Sequence, residues 1–359
     1  MSPSYKSPLH EMTQTTPTCL WNDSANIEEL SASIADGAVG ATCNPVIALT
    51  VLKQEMAYWK PRILDTLEKM PTATEDAVGW KVVEAMSVRA AELLRPVFEA
   101  HKGKNGRLSI QTDPHFHRDP KAIVEQAVRF SQLAPNIIVK IPVTRAGVKA
   151  IEEATYQGVS INATVSFTLP QSLAVAEAVE RGLERREKEG KEVASMGPVC
   201  TIMVGRLDDW LRVTAEKDSI TVDPGVLEWA GVAVFKKTYR LFRERGYRTR
   251  LLSAAFRNHM HWSEFVGGDV VISPPHSWQV RFNRSGIAPK PRIDDPVDPR
   301  ILAQLEEFPE FLRASTENGM SVEEFDSFGA TRRTLRQFLG ACADLSALIR
   351  DFMVPNPDK

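Results

Sequence analysis

The chain has 359 residues, 43% hydrophobic and 25% charged, which is enough apolar side chain for a full core and a length within the range of one α/β barrel. Lys and Arg number 44 against 46 Asp and Glu, a formal net charge of −2, so no global basic field attracts nucleic acid or an anionic membrane, and any anionic ligand must be caught locally. Cys19, Cys43, Cys200 and Cys342 are widely scattered with no C-x-x-C pair, which argues against a disulfide framework or a thiolate zinc site and fits a reducing cytoplasm.

Residues 1–17 are polar and rich in Ser, Thr and Pro. They lack both the apolar core of a signal peptide and an apolar span of about 20 residues, and read as a flexible N-terminal tail. Eight short apolar segments follow, at 18–22, 40–43, 107–112, 137–142, 160–165, 198–204, 249–254 and 269–273, alternating with long helical patterns. This is the βαβα rhythm of a parallel sheet covered by helices. The stretch 47–102 reads as roughly two helices before the third strand, and 144–157 as a helix stopped by Gly158. Further helices fill 291–359, and the charged run 180–192 reads as a solvated helix end. The expectation is α/β: a single (β/α)8 TIM barrel over 18–359, with additional helices after strand 2 and at the C-terminus.

In a barrel strand inward side chains alternate, and functional ones gather at the C-terminal end. Ser109, Gln111 and Asp113 alternate with Leu108 and Ile110, and Asn162, Thr164 and Ser166 alternate with Ile161, Ala163 and Val165. Helices cover the outside of a parallel barrel, so inward is the better reading of these polar faces. Lys140 sits in Asn136-Ile-Ile-Val-Lys-Ile-Pro142, where desolvation favours a neutral, nucleophilic amine able to form a Schiff base. The alternative is a lysine whose stem follows the strand and whose head reaches water at the rim. Asp23 and Ser24 could equally be helix caps, and Asn44 before Pro45 could be turn chemistry. Arg206 and Arg257 follow the sixth and seventh strands, where guanidinium groups can reach a phosphate, although an isolated loop arginine is more often in a surface ion pair. His115/His117 and His259/His261 form two His-x-His pairs that invite a zinc hydrolase or aldolase reading. They follow strands on opposite sides of the barrel with no linking carboxylate motif, and loop histidines are the plainer account.

Val139-Lys-Ile-Pro-Val-Thr-Arg-Ala-Gly147, followed by Gly158-Val-Ser-Ile-Asn-Ala-Thr-Val165, resembles the Schiff-base strand of the transaldolase family and the strand after it. Leu20-Trp-Asn-Asp-Ser24, Gly40-Ala-Thr-Cys-Asn-Pro45, Val204-Gly-Arg-Leu-Asp-Asp-Trp210 and Ala255-Phe-Arg-Asn258 are similar to other segments of that family, in order from about residue 18 to 275. The resemblance implies that Lys140 attacks a ketose carbonyl and that Asp23 moves the proton of the C4 hydroxyl. It further implies that Asn44 and Asn162 hold the dihydroxyacetone hydroxyls, that Thr164 positions water, and that Arg206 and Arg257 bind phosphate. Thr201 replaces one serine of the substrate site, and Ala255 stands where the phosphate loop usually carries another. Gln111 stands where most transaldolases carry a water-activating glutamate; related fructose 6-phosphate aldolases have glutamine. Those aldolases use a sixth-strand tyrosine where transaldolases have phenylalanine and this chain has Met203.

The resemblance therefore implies a cytoplasmic transferase acting on small-molecule sugar phosphates through a lysine Schiff base, with no metal and no cofactor, and with neither nucleic acid nor membrane as partner. A homo-oligomer stays open. The alternatives are a class I aldolase releasing free dihydroxyacetone and a catalytically idle barrel that binds sugar phosphates.

Overall fold

Apolar residues crowd both faces of segments such as Ile137–Pro142, in which every residue is buried, as a parallel strand requires when side chains fill one side and helices cover the other. The computed structural model describes residues 5–358. In chain order come α1 (Pro8–Thr15), β1 (Cys19–Asn22), α2 (Ile27–Ala35) and β2 (Ala38–Cys43), then α3 (Pro45–Gln54), α4 (Met56–Lys69) and α5 (Glu75–Ala100). Next are β3 (Arg107–Gln111), a 3-10 turn at Pro114–Phe116, α6 (Pro120–Ser131), β4 (Ile137–Pro142), α7 (Arg145–Tyr156), β5 (Ile161–Thr164) and α8 (Leu169–Lys188). They are followed by β6 (Val199–Ile202), α9 (Val204–Lys217), α10 (Pro224–Leu227), α11 (Ala230–Arg245), β7 (Arg250–Ser253), α12 (Met260–Ser263), β8 (Val271–Ile272) and α13 (His276–Arg284). The chain ends in α14 (Pro299–Leu305), α15 (Pro309–Ser315), a 3-10 turn at Val322–Ser327 and α16 (Gly329–Met353).

All eight expected strands form, trimmed by a residue or two at most ends, and pair in parallel into a closed barrel in sequence order, β8 returning to β1. The predicted helix at 144–157 is α7. Its N-cap Thr144 accepts the Gly147 N–H at 2.9 Å, and Gly158 takes the left-handed φ of +94° that stops it. Two apolar layers divide the work. Trp21, Ile138, Val199, Leu252 and Val271 point inward and plug the lower barrel, while Leu20, Ile110, Val139, Ile141, Ala163 and Ile202 join the core between barrel and helices. Gly40 is required where β2 passes Trp21, because a Cβ there would lie 2.4 Å from the indole.

Two expectations need correction. The expected tail carries a helix: Ser7 caps α1, Pro8 opens it, and Leu9 and Met12 bury their side chains, Met12 Sδ accepting from Trp262 Nε1 at 3.3 Å. Residues 1–4 lie outside the described residues. The stretch 47–102 holds three helices, because the chain breaks at Glu55 between α3 and α4. Glu55 is held there by Arg89, whose Nη1 is 2.6 Å from its carboxylate. Among the described residues no helix is long and apolar enough to cross a membrane.

Candidate active site

Above the apolar plug, the inward positions turn polar as the strands reach their C-terminal ends. Register aligns Gln111 with Lys140 and Lys140 with Asn162 on neighbouring strands, and Pro142 with Thr164. Lys140 is 4% exposed, and its Nζ makes no hydrogen bond or ion pair among the described residues. Burial pulls its pKa below the ordinary lysine value; the Asp23 carboxylate and the Cys43 thiol oppose that shift, and the Arg206 charge adds to it. A neutral amine is thereby favoured where a carbonyl carbon can be attacked.

Asp23 owes its position to its neighbour. Asn22 accepts from Ser33 Oγ at 3.0 Å and from Gln279 Nε2 at 2.8 Å, pinning the end of β1 to α2 and α13. Asp23 then accepts the Thr42 hydroxyl at 2.5 Å. The cap of α2 is Asn26, so neither Asp23 nor Ser24 is spent as that helix's N-cap. Asn44 does cap: its Oδ1 accepts the Ile47 N–H at 3.0 Å, which leaves the amide nitrogen without a partner among the described residues.

Beside Lys140, from its register partner Asn162, runs a chain of side-chain bonds. Thr201 Oγ1 donates to Asn162 Oδ1 at 2.8 Å, and Asn162 Nδ2 donates to Ser109 Oγ at 3.0 Å. This fixes the Asn162 carboxamide without consuming its second N–H. Gln111 Oε1, Thr164 Oγ1 and Ser273 Oγ are buried with no protein partner, the condition of groups available to a ligand or water. Ser109, read from the alternation as inward, belongs to this polar ring, as do Thr42 and Ser273, which the sequence reading did not single out. For Thr42 the Gly40-x-Thr42 alternation was the available signal. Asp113 and Ser166 leave the pattern: Asp113 Oδ1 accepts the His115 N–H as the cap of the 3-10 turn, and Ser166 Oγ donates to the Thr201 carbonyl.

The two arginines differ. Arg206 donates through Nη1 to Thr334 Oγ1 at 3.3 Å and through Nη2 to Gln337 Oε1 at 2.6 Å, both on α16, while its Nε is buried and unpartnered. Burial, then the Arg257 charge, push its pKa down to about 10, with Asp23 among the opposing charges; it remains a cation at neutral pH. Arg257 is bound to Asp209 through Nε and Nη2, the latter at 2.6 Å, and its Nη1 donates to the Ala255 and Phe256 carbonyls. Most of its donors are already used.

The histidines scatter into separate local contacts: His115 with Asp113, His117 with the Pro114 carbonyl, His259 with Ser263, and His261 with Asp208. Asp113, His115 and Cys342 bring potential ligand atoms within 4.8 Å of one another. Asp113 Oδ1, however, already accepts the His115 N–H at 2.9 Å and lies 2.7 Å from its Nδ1, so the group closes on itself as a capped turn.

A closed parallel barrel with a buried, unpaired amine near a carboxylate at its polar mouth defines a (β/α)8 barrel with a lysine-centred candidate site. The chain belongs to the transaldolase/fructose-6-phosphate aldolase family, whose model matches residues 20–330. It is similar to a transaldolase of Thermobifida fusca, 33% identical over 211 residues, which make up 56% of each chain. A transaldolase 2 of Streptomyces avermitilis is 35% identical over 173 residues, 47% of this chain and 45% of that protein. A transaldolase of Kocuria rhizophila is 28% identical over 223 residues, 62% and 59% of the two chains. The chain spans about half the length of the curated relatives it matches.

Proposed function

We propose that this protein transfers a dihydroxyacetone unit from a ketose phosphate to an aldose phosphate through a Schiff base on Lys140. The observation that carries the reading is the buried Lys140 amine, free of any ion pair and with its pKa lowered, at the C-terminal mouth where barrel enzymes work. In this mechanism the neutral amine adds to the ketose carbonyl, and loss of water gives an iminium. Asp23 accepts the C4 hydroxyl proton as the C3–C4 bond breaks, the electron pair passes into the iminium, and an aldehyde phosphate leaves. The remaining enamine adds to a second aldehyde, Asp23 returns the proton, and water releases the product. The iminium is the electron sink, so the reaction as drawn calls on no metal or cofactor.

Asn44 and Asn162 hold the dihydroxyacetone hydroxyls, with Thr201 keeping Asn162 in place. Gln111 and Thr164, whose oxygens lack protein partners, handle the water. Arg206 meets the phosphate through its free Nε, and Arg257 contributes from the neighbouring loop. The setting is cytoplasmic.

A second reading, a class I aldolase, is favoured by Gln111: an amide cannot accept a full proton from water as a carboxylate does. Product partitioning decides between them. With fructose 6-phosphate as donor and saturating erythrose 4-phosphate, transfer should exceed release of free dihydroxyacetone. Free dihydroxyacetone as the main product under those conditions would assign the aldolase reaction, and no turnover of any ketose phosphate would leave an idle sugar-phosphate-binding barrel.

A further inference from the structure

We propose that Asp208 and His261 form a buried positioning pair that fastens the loop after β7 to α9 and thereby sets how tightly the barrel mouth holds a substrate phosphate. This rests on the phosphate reading of Arg206 and Arg257 given above.

Both side chains are fully buried, out of reach of substrate, and their hydrogen bonds determine the tautomer. A backbone N–H can only donate, and that of Arg257 meets His261 Nδ1 at 3.1 Å, so Nδ1 presents its lone pair. The ring proton therefore sits on Nε2, which donates to Asp208 Oδ2 at 2.9 Å. The other carboxylate oxygen, Asp208 Oδ1, accepts the Gly231 N–H at 2.9 Å in the first turn of α11. Every polar atom of the pair is used, as a buried Asp–His contact must be to hold its ground.

The connections explain the purpose. Asp208 lies two residues beyond Arg206 in α9, while His261, in α12, reaches back to the backbone of Arg257. One carboxylate and one imidazole thus join α9, α11 and the loop between β7 and α12. Asp209, the next residue, holds the Arg257 side chain, so adjacent aspartates of one helix secure both the backbone and the guanidinium of the same arginine. The loop needs such fastening. Ala255 adopts the left-handed φ of +64° without being glycine, a conformation that costs energy unless neighbours impose it. Loop and helix also press together: a Cβ at Gly205 would lie 2.1 Å from the Ala255 carbonyl oxygen and 2.6 Å from Arg257 Cγ.

Two variants probe opposite ends of the chain of bonds. His261→Gln keeps an N–H for Asp208 but removes the acceptor of the Arg257 N–H. Asp208→Asn presents an N–H to either the ring or Gly231 whichever way its amide turns. Kinetics with fructose 6-phosphate and with unphosphorylated fructose, at a fixed acceptor, separate positioning from general damage. Each variant should raise KM for fructose 6-phosphate by about 10-fold, the weight of one buried hydrogen bond, with kcat and the KM for fructose little changed. Equal losses with both donors, no loss with either, or loss of fold in both variants would overturn the proposal in favour of a purely structural pair. Arg206→Ala separates the two levels: if that variant keeps the native preference for the phosphorylated donor, the phosphate reading itself fails, and the positioning role falls with it.

Discussion

Lys140 holds its chemistry through opposed influences: burial pulls its pKa down, Asp23 pulls it back up, and Arg206 pushes it down again. The free amine is the nucleophile, so the rate of imine formation rises with pH through the Lys140 pKa. Arg206→Ala removes a neighbouring positive charge, raises that pKa and should move the rise to higher pH. Asp23→Asn removes a negative charge, lowers it and should move the rise to lower pH. Dihydroxyacetone trapped by cyanoborohydride measures this without requiring bond cleavage; profiles that coincide with the native one in both variants would show that neither charge influences the amine. Lys140 stood out in the sequence because a lone amine interrupts Ile-Ile-Val-x-Ile, Asn162 because polar residues alternate along its strand, and Asp23 through resemblance. Ser109 was legible in the same way as Gln111, from its alternation with Leu108 and Ile110, whereas Thr42 looks like an ordinary strand residue until the fold sets it against Asp23. The Asp208–His261 contact was hidden because its partners stand 53 residues apart, and a His-x-His spacing suggests a metal rather than an aspartate.

At the scale of elements, the strands were plain because burial on both faces writes continuous apolar runs. Helix breaks were less so. Glu55 interrupts α3 and α4 with neither Gly nor Pro, and the deciding contact comes from Arg89 on α5. The signal for α1 was present in Ser7-Pro8, but only the packing of Leu9 and Met12 makes it a helix. The least predictable element is α16. Its Thr334 and Gln337 hold Arg206 from more than a hundred residues away, and its first residue, Gly329, lies so near Trp210 that a Cβ would meet the indole at 2.0 Å. Gly329→Ala should therefore cost on the order of 1–3 kcal/mol from overpacking, read as a lower midpoint in denaturant unfolding. An unchanged midpoint would mean that α16 can shift its seat on α9 freely.

For the whole molecule, eight short segments in βα rhythm were enough to read a barrel, since parallel strands need helical crossovers and a closed sheet leaves no edge. The closure of β8 onto β1 supplies what the rhythm implies. How the C-terminal helices sit over the barrel was not readable, because their contacts are between chain segments distant in sequence. The barrel gathers Asp23 from just past β1, Gln111 from β3, Lys140 from β4, and Asn162 and Thr164 from β5 into one mouth, and the proposed chemistry depends on that convergence. Covalent capture tests it most directly: the protein is incubated with fructose 6-phosphate and borohydride, digested, and its peptides are weighed by mass spectrometry. A reduced three-carbon adduct on Lys140 is expected, absent from Lys140→Ala, together with loss of turnover in that variant. Native protein that turns over substrate without any adduct, or a Lys140→Ala variant with full activity, would contradict the Schiff-base mechanism.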